Sequence, residues 1–311
     1  MEGGLPTVRG KTLITGGTGQ VGGELTKTLS LLAKIVAPTR AELDLTNAES
    51  IRGLIRAVEP RWIVNPAAYT AVDKAESEPE LAYAVNAEAV RVIAEEAQRI
   101  GAVVIHFSTD YVFDGTGSVP YVETDATTPT SVYGASKLAG EQALAESGAA
   151  HMIFRTSWVY GSRGRNFLLT ILKLARERET LHVVADQHGA PTWSRDLAKM
   201  TAHVIQHCEI ASGQSREKLA EACTGLNGIY HAAGSGSTTW HGFAAEAVRL
   251  QRERESTTRF AEIEAISTAE YPTPAKRPAN SQLNCSKLEE KFGWKMMDWH
   301  ESLRKVLDAG K

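Results

Sequence analysis

Tyr133 and Lys137 stand four residues apart in the run YGASK, a spacing that places both side chains on one face of a helix. When a carbonyl is reduced by hydride, the oxyanion that forms needs a proton, which a tyrosine hydroxyl can provide. The pKa of a free tyrosine is about 10, and a neighbouring ammonium lowers it. The pair predicts a general acid for carbonyl reduction, with Lys137 also placed to hydrogen-bond a nicotinamide ribose; the alternative is a surface pair.

Three glycines, Gly16, Gly19 and Gly22, follow one another at intervals of three residues. A buried strand is predicted before them, over 11–15, and an amphipathic helix over 22–33. Glycine lets backbone N–H groups approach a pyrophosphate closely, and the N-terminus of the helix stabilises its negative charge. The segment predicts a dinucleotide-binding loop, with a tight turn that binds nothing as the alternative.

The residues after the second predicted strand, over 34–37, indicate which dinucleotide is used. An acidic side chain there would bind the ribose hydroxyls of NAD, but this chain has Thr39 and Arg40. Arg40 is placed to receive a 2′-phosphate, which predicts NADPH, with NADH as the alternative cofactor. Asp44 is expected either to face the adenine or to cap the helix that begins near residue 48.

Thr109 stands where the fourth predicted strand, over 102–108, ends. Ligands of open α/β sheets bind outside the carboxyl ends of the strands. The hydroxyl of Thr109 is therefore expected to hydrogen-bond the substrate oxygen beside Tyr133, with Ser108 as the second candidate. Asp110 is interpreted as a turn or capping residue and not as an acid catalyst.

The elements that must position these residues alternate between strand and helix through the first half of the chain. Alternating elements of this kind predict parallel pairing with right-handed crossovers and a Rossmann-type, doubly wound α/β fold. The strands are predicted over 11–15, 34–37, 62–65 and 102–108, and the helices over 22–33, 48–58 and 82–100.

The pattern loosens after about residue 160. We therefore predict a nucleotide-binding domain over 1–160 and a smaller substrate-binding part over 161–311, with the two parts interleaved. Segment 187–192 is predicted as a loop and 208–226 as partly irregular. Helices are predicted over 166–177, 195–207, 240–252 and 299–308.

Composition limits the function classes. The 311 residues carry 34 basic and 37 acidic side chains, so the formal net charge is −3, which argues against a nucleic-acid partner. No apolar run approaches a membrane span of roughly 18 residues or more. Three cysteines without close spacing are typical of a reduced, cytoplasmic protein. His203 and His207 have a spacing that can bind zinc, but no further clustered ligand accompanies them, so no metal site is predicted.

Together the glycine loop, the run STDYVF over 108–113 and the Tyr133/Lys137 pair resemble the extended short-chain dehydrogenase/reductases. Further segments are similar to the dTDP-4-dehydrorhamnose reductase family, and the resemblance covers roughly residues 10–305. Pro66 stands where alanine is usual in that family. The matching segments are NPAAYTAVDKAE over 65–76, RTSWVY over 155–160, DQHGAPT over 186–192 and RPANS over 277–281.

The resemblance implies NADPH- or NADH-dependent reduction of the C4 ketone of dTDP-4-dehydro-L-rhamnose, the last step of dTDP-L-rhamnose synthesis. It implies a catalytic trio of Thr109, Tyr133 and Lys137. It also associates the family with Mg²⁺ and a homodimer, although no Mg²⁺ ligands can be placed in this sequence. The implied cofactor contacts are Gly19, Gln20, Val21, Asp44, Leu45, Ala68, Tyr69 and Thr70, and the implied substrate contacts are Asp110, Tyr111, Trp158, Asn166 and Arg277.

Two of these assignments have structural alternatives. The planar guanidinium of Arg277 suits a diphosphate, and the alternative is a salt bridge at the rim of the pocket. Trp158 is expected to pack on the sugar or the base, and the alternative is an ordinary core position.

Two other functions are compatible with the same broad family. One is a non-catalytic regulatory subunit resembling the beta subunit of methionine adenosyltransferase, but the presence of Thr109, Tyr133 and Lys137 argues against it. The other is a sugar-nucleotide epimerase or dehydratase. A dehydratase would want a second carboxylate beside Asp110, and the sequence has none there.

Overall fold

The structure is a computed structural model that describes residues 8–309. Its strands are β1 (Lys11–Ile14), β2 (Lys34–Val36), β3 (Trp62–Asn65), β4 (Val103–Thr109), β5 (His151–Thr156), β6 (Val159–Tyr160), β7 (Thr180–Val184), β8 (His188–Gly189), β9 (Thr192–Trp193), β10 (Gly228–His231), β11 (Thr238–Thr239) and β12 (Glu262–Ile266). Its helices are α1 (Gln20–Leu29), α2 (Ala48–Val58), α3 (Val72–Ala75), α4 (Pro79–Tyr83), α5 (Ala89–Ile100), α6 (Val132–Glu146), α7 (Phe167–Glu177), α8 (Ser194–Ala211), α9 (Arg216–Thr224), α10 (Trp240–Arg254), α11 (Ser286–Phe292) and α12 (Trp299–Asp308).

Six strands form a parallel sheet in the order β10-β5-β4-β3-β1-β2. The order reverses next to β1, and in open α/β sheets ligands bind at such a point, outside the carboxyl ends of the strands. The predicted doubly wound fold is therefore confirmed. No helix within residues 8–309 has both the length and the apolar composition needed to cross a bilayer.

Both faces of the sheet are buried, because alternate residues of each strand point to opposite sides. Leu13, Ile63 and Val104 pack on one side against α2 and α5. Ile14, Trp62 and Val103 pack on the other side against α1 and α8. These near-continuous apolar strands explain why the sequence pattern identifies the first four strands well.

A second apolar core joins α7, α10 and α12 with β7 and the segment before β12. Elements from beyond residue 160 also complete the first core: β10 forms one edge of the six-stranded sheet, and α8, α9 and α11 cover one of its faces. The chain therefore returns to the nucleotide-binding part after it has entered the second part. The boundary at residue 160 stays a prediction.

Two segments differ from expectation. The predicted irregular region 208–226 is mostly helical, because α8 runs to Ala211 and Ser215 caps α9 by accepting a hydrogen bond from the Lys218 N–H. Between these helices the chain turns at Gly213 and Gln214, which have φ values of 59° and 61°. The predicted loop 187–192 contains β8 and extends to the start of β9. β8 pairs with β11, and β9 pairs with β6, so both partners are distant in sequence.

Candidate active site

The loops after β1, β3 and β4 meet at the carboxyl edge of the sheet and enclose a cleft of about 740 Å³. The cleft brings together most of the residues expected from the sequence. It is lined by Gly16, Gly19, Gln20, Val21, Gly22, Ala68, Thr70, Thr109, Asp110, Tyr111, Tyr133, Lys137, Trp158 and Asn166.

The glycine loop is held in a conformation that other residues would disrupt. Gly16 has φ +57°, and a Cβ atom there would lie 3.0 Å from the Cβ of Ala67. A Cβ at Gly22 would lie closer than 3.0 Å to the Gly16 carbonyl, a separation that real Cβ atoms essentially never show. Gly19 is extended and precedes α1. The loop therefore leaves its backbone open to a ligand at the start of α1, as a pyrophosphate requires.

A neighbouring cavity of about 450 Å³ shares Gly16 and Ala68 with the central cleft. It holds the residues expected at the adenosine end of the cofactor, and Tyr69 is fixed there by hydrogen bonds to Asn86 and Glu78. The cavity is lined by Arg40, Asp44, Leu45, Ala68 and Tyr69, among others.

The capping role considered for Asp44 is wrong. Asn47 caps α2 by accepting hydrogen bonds from the N–H groups of Glu49 and Ser50. Asp44 accepts from the backbone and hydroxyl of Thr46 at 2.9 and 2.7 Å. It thus forms a local turn at the wall of the cavity, which leaves the adenine-facing interpretation as the prediction.

Thr109 and Tyr133 lie side by side in the central cleft. Ser131 caps α6 by accepting from the Gly134 N–H at 3.1 Å, which places Tyr133 in the first turn. A Cβ at Gly134 would collide with the Tyr111 carbonyl, so the glycine permits this close approach. The rings of Tyr111 and Tyr133 then meet edge to face, 5.5 Å apart.

The expected lowering of the pKa of Tyr133 by Lys137 is wrong for this arrangement. Burial raises the pKa of Tyr133, and a hydrogen bond with the Thr109 side chain opposes that rise. The Lys137 ammonium group is directed elsewhere: Nζ donates to the Phe107 carbonyl at 2.6 Å and lies 3.1 Å from His106 Nε2. Burial lowers the pKa of Lys137 to about 8.

Asp110 has more than the turn role expected of it. It begins a short 3₁₀ turn (Asp110–Val112), as expected, but it is also buried and lines the cleft. Burial raises its pKa to about 6, against hydrogen bonds from Ser281 and Thr109. A carboxylate oxygen of Asp110 has no hydrogen-bond partner within residues 8–309. The side chain therefore keeps one buried hydrogen-bond acceptor without a partner.

We expect Asp110→Asn to stabilise the protein at pH 7. Because burial raises the pKa of Asp110 on folding from its ordinary value of 3.8 to about 6, its contribution to stability is present below pH 3.8 and lost as the pH rises through 6. The difference between these two pKa values corresponds to a destabilisation of the folded protein by about 3 kcal/mol at pH 7. Urea unfolding of both proteins should show a gain at pH 7 that shrinks by pH 4; an equal difference at the two pH values would contradict this account.

Trp158 and Asn166 form the wall opposite the sheet. Trp158 has φ +48°, which is unusual for a bulky residue, and stacks on Trp240 with ring centroids 3.6 Å apart. A Cβ at Gly189 would collide with its indole. Asn166 caps α7 and donates to Gln20 at 3.0 Å, which ties this wall to the glycine loop. The ring of Trp158 borders the cleft, so it is not an ordinary core residue.

Arg277 lies in a third cavity, of about 910 Å³, which meets the central cleft at Tyr111, Phe167 and Trp240. Its guanidinium pairs with Asp73 at 2.6 Å and donates to the Tyr111 hydroxyl at 3.2 Å. The salt bridge considered as an alternative is therefore present. The same side chain still borders the cavity, next to the cleft.

Sequence reasoning missed several residues at the site. Trp240 of α10 was not connected to Trp158, because their contact joins distant parts of the chain. His106 lies beside Lys137, and Asn65 lies beside His106. Each is a polar residue within an apolar strand, and this feature of the sequence could have identified them. For Mg²⁺, no group of three or more His, Cys, Asp or Glu is placed to hold a metal ion among the side chains that the structure describes, which are those of residues 8–215 and 218–309.

The fold and the convergent residues define a class: a dinucleotide-dependent reductase of the extended short-chain dehydrogenase/reductase type. The chain belongs to the family described as RmlD substrate binding domain, whose model matches residues 10–311. The family resemblance carried by the sequence motifs is confirmed.

Similar proteins support that assignment over nearly the whole chain. A dTDP-4-dehydrorhamnose reductase of Burkholderia thailandensis is 48% identical over 291 residues, covering 93% of this chain and 95% of that protein. A crystal structure of a dTDP-4-dehydrorhamnose reductase from Clostridium acetobutylicum matches with a TM-score of 0.86 and 35% identity, covering 96% of this chain and 99% of that one. The structure of the Bacillus anthracis reductase, in complex with NADP, matches with a TM-score of 0.85 and 34% identity, covering 96% and 99%.

Proposed function

We propose that this chain reduces the C4 ketone of dTDP-4-dehydro-L-rhamnose to the alcohol of dTDP-L-rhamnose, with NADPH as the preferred reductant. The observation that carries the proposal is the convergence of Thr109, Tyr133 and Lys137 in one cleft with the glycine loop. The names of the similar proteins give the substrate, and the NADP in the Bacillus anthracis structure supports the cofactor.

The residues present fit a dinucleotide. The backbone of Gly16, Gly19 and Gly22 would hold the diphosphate, because side chains at two of these positions would close the loop. Arg40 and Tyr69 would hold the adenosine end in the neighbouring cavity. When bound, NADPH supplies the hydride that reduces the ketone.

The chain's own side chains handle the oxygen of the ketone. Thr109 and Tyr133 offer hydroxyl groups next to each other at the end of β4 and the start of α6. Both would hydrogen-bond the substrate oxygen, and Tyr133 would donate its proton as negative charge develops there. Burial keeps Tyr133 protonated before the reaction, since its pKa is raised above the ordinary value.

The sugar nucleotide would extend from the cleft into the third cavity. Trp158 would pack on the sugar from the wall that it shares with Trp240. Arg277 lies beyond Tyr111, and a planar guanidinium suits a diphosphate group. Binding there would require the Arg277–Asp73 pair to share or release its hydrogen bond.

Arg40→Ala is expected to weaken NADPH binding about 10-fold or more, since a hydrogen bond to a charged group contributes about 1.5–3 kcal/mol. NADH has no 2′-phosphate, so its affinity should change much less. Dissociation constants measured by cofactor fluorescence give the comparison. Arg259→Ala, which removes an exposed arginine that pairs only weakly with Glu179 at 3.7 Å, is the matched control. Equal losses for both cofactors would reject the role of Arg40.

Cofactor oxidation with dTDP-4-dehydro-L-rhamnose tests the function directly. A reductase oxidises one cofactor molecule for each substrate molecule, whereas an epimerase recycles its cofactor. The assay should be run with NADPH and NADH, and against other keto-sugar nucleotides. No cofactor oxidation with the rhamnose precursor, or equal rates with unrelated keto sugars, would count against the proposal.

A reducing, cytoplasmic location is part of the same proposal. Cys208, Cys223 and Cys285 carry free thiols, as expected where disulfides do not form. We also propose a homodimer, on the family resemblance alone; light scattering of the purified chain would test it.

A further inference from the structure

The segment 161–166, between β6 and α7, lies against the glycine loop. Gln20, the first residue of α1, donates from Nε2 to the Arg165 carbonyl at 3.3 Å and accepts from Asn166 Nδ2 at 3.0 Å. Asn166 also donates to the Gly161 carbonyl at 3.0 Å, which joins the two ends of the segment. The segment is therefore held at the N-terminal end of α1, the end of a helix that stabilises a bound phosphate.

The two arginines of this segment have different surroundings. Arg163 forms a salt bridge at 3.4 Å with Glu24 of α1, whose side chain is 2% exposed and also pairs with Arg195 of α8 at 3.0 Å. Arg165 forms no salt bridge with any of the side chains that the structure describes. Arg163 therefore has its partner within the fold, whereas the guanidinium of Arg165 is available to a ligand.

Arg165 is also the accessible cation of the central cleft. Among the described residues that line this cleft, only Lys137 and Arg165 have positively charged side chains. Lys137 is buried, and its Nζ donates to the Phe107 carbonyl at 2.6 Å. Arg165, in contrast, is exposed. The diphosphate of a dinucleotide carries two negative charges, and Arg165 is the side chain of the cleft that can pair with them.

We propose that Arg165 binds the diphosphate of the dinucleotide, together with the backbone of the glycine loop. A planar guanidinium offers N–H donors in a fork that fits two phosphate oxygens. The first turn of α1 has no acidic residue, and the carboxylate of Glu24 in the next turn is already paired with two arginines. No unpaired carboxylate of α1 therefore opposes the anion. The inference rests on the proposed function, since it concerns the same cofactor.

Arg165→Ala should weaken NADPH and NADH by the same factor, about 10-fold, because both dinucleotides have the same diphosphate. Binding of 2′-AMP, which has the 2′-phosphate and no diphosphate, should stay within about 2-fold of the wild type. Arg40→Ala should give the opposite pattern, with losses for NADPH and 2′-AMP and little change for NADH. Cofactor fluorescence gives the dissociation constants of the dinucleotides, and displacement of NADPH gives that of 2′-AMP.

Salt distinguishes an ionic contact from a structural effect. The affinity of the wild type for NADH should fall as NaCl is raised from about 0.05 to about 0.5 M, because ions screen exposed charges. The fall should be shallower in Arg165→Ala. Arg165→Lys keeps the charge and loses the planar fork, so its affinity for both dinucleotides should lie between those of the wild type and the alanine variant. If a thermal melt shows that Arg165→Ala does not fold, Arg165→Lys carries the comparison.

Arg259→Ala, the control already chosen for Arg40, should keep the affinity and the salt dependence of the wild type. Unchanged affinity of Arg165→Ala for both dinucleotides would overturn the proposal, and so would an equal loss for 2′-AMP. A higher KM for the sugar nucleotide, with both dinucleotide dissociation constants unchanged, would also overturn it, because Arg165 would then serve the diphosphate of the substrate.

The binding measurements need no turnover, so they separate this inference from the proposed function. A wild-type chain that binds NADPH but reduces no keto-sugar nucleotide would count against the proposed function, and the dissociation constants would still decide the role of Arg165. A chain that turns over while Arg165→Ala matches the wild type in affinity and salt dependence would retain the function and lose the inference.

Discussion

Tyr133→Phe should lower kcat at least about 100-fold, as the loss of a general acid does. The phenylalanine ring keeps the edge-to-face contact with Tyr111 and removes the hydroxyl that lies beside Thr109. Cofactor affinity should change little, because the backbone of the glycine loop is untouched. Stopped-flow measurement of NADPH oxidation at saturating substrate gives the rate.

Tyr83→Phe is the matched control for that experiment. Tyr83 is 41% exposed at the end of α4, and it does not line any of the three cavities described above. Its variant should keep the wild-type rate. Near-wild-type turnover by Tyr133→Phe would reject the assignment of the proton donor.

Gly22→Ala should reduce the affinity for NADPH by about 10- to 100-fold, or prevent the loop from forming. The added methyl group would lie closer than 3.0 Å to the Gly16 carbonyl, and that neighbour is backbone, which cannot move aside as a flexible side chain can. Overpacking of this kind typically costs about 1–3 kcal/mol and sometimes more. The affinity is measured by cofactor fluorescence, and the fold by thermal unfolding.

Gly53→Ala makes the same chemical change at a position that tolerates it. Gly53 lies inside α2, and a Cβ there would meet nothing within 4 Å. Alanine is favoured over glycine in a helix interior, so this variant should be more stable by about 0.5–1 kcal/mol, with unchanged cofactor affinity. Unaltered NADPH binding by Gly22→Ala would show that the loop does not hold the dinucleotide closely.

Local sequence patterns predicted the first part of the fold well. The predicted helix 48–58 and strand 62–65 coincide with α2 and β3, because an amphipathic face and an apolar run are each sufficient to define such elements. The glycine loop could also be predicted from the sequence, because Gly16 and Gly22 are required by the backbone geometry of residues only a few positions away. The structural requirement for such residues can be inferred from the sequence next to them.

One failure of the sequence predictions is local, and another concerns a contact between distant segments. The cap of α2 is Asn47 and not Asp44, and choosing between two suitable residues three positions apart needs the actual backbone. The prediction that the Lys137 ammonium acts on Tyr133 was wrong, because the partners of Lys137 are His106 and Phe107, which belong to a strand some thirty residues earlier. Spacing along one helix predicts which side chains share a face, but not which atoms of another element will compete for them.

The return of the chain to the first core has a consequence for engineering. Five of the six strands of the central sheet precede residue 160, yet one face of that sheet is covered by α8, α9 and α11. A fragment cut at residue 160 would keep only α1 on that face and expose the rest of its apolar surface to water, and large exposed apolar patches promote aggregation. The specificity of this enzyme therefore cannot be exchanged by swapping its C-terminal half. A chimera must keep α8 through β10, and α11, from the same parent as the sheet.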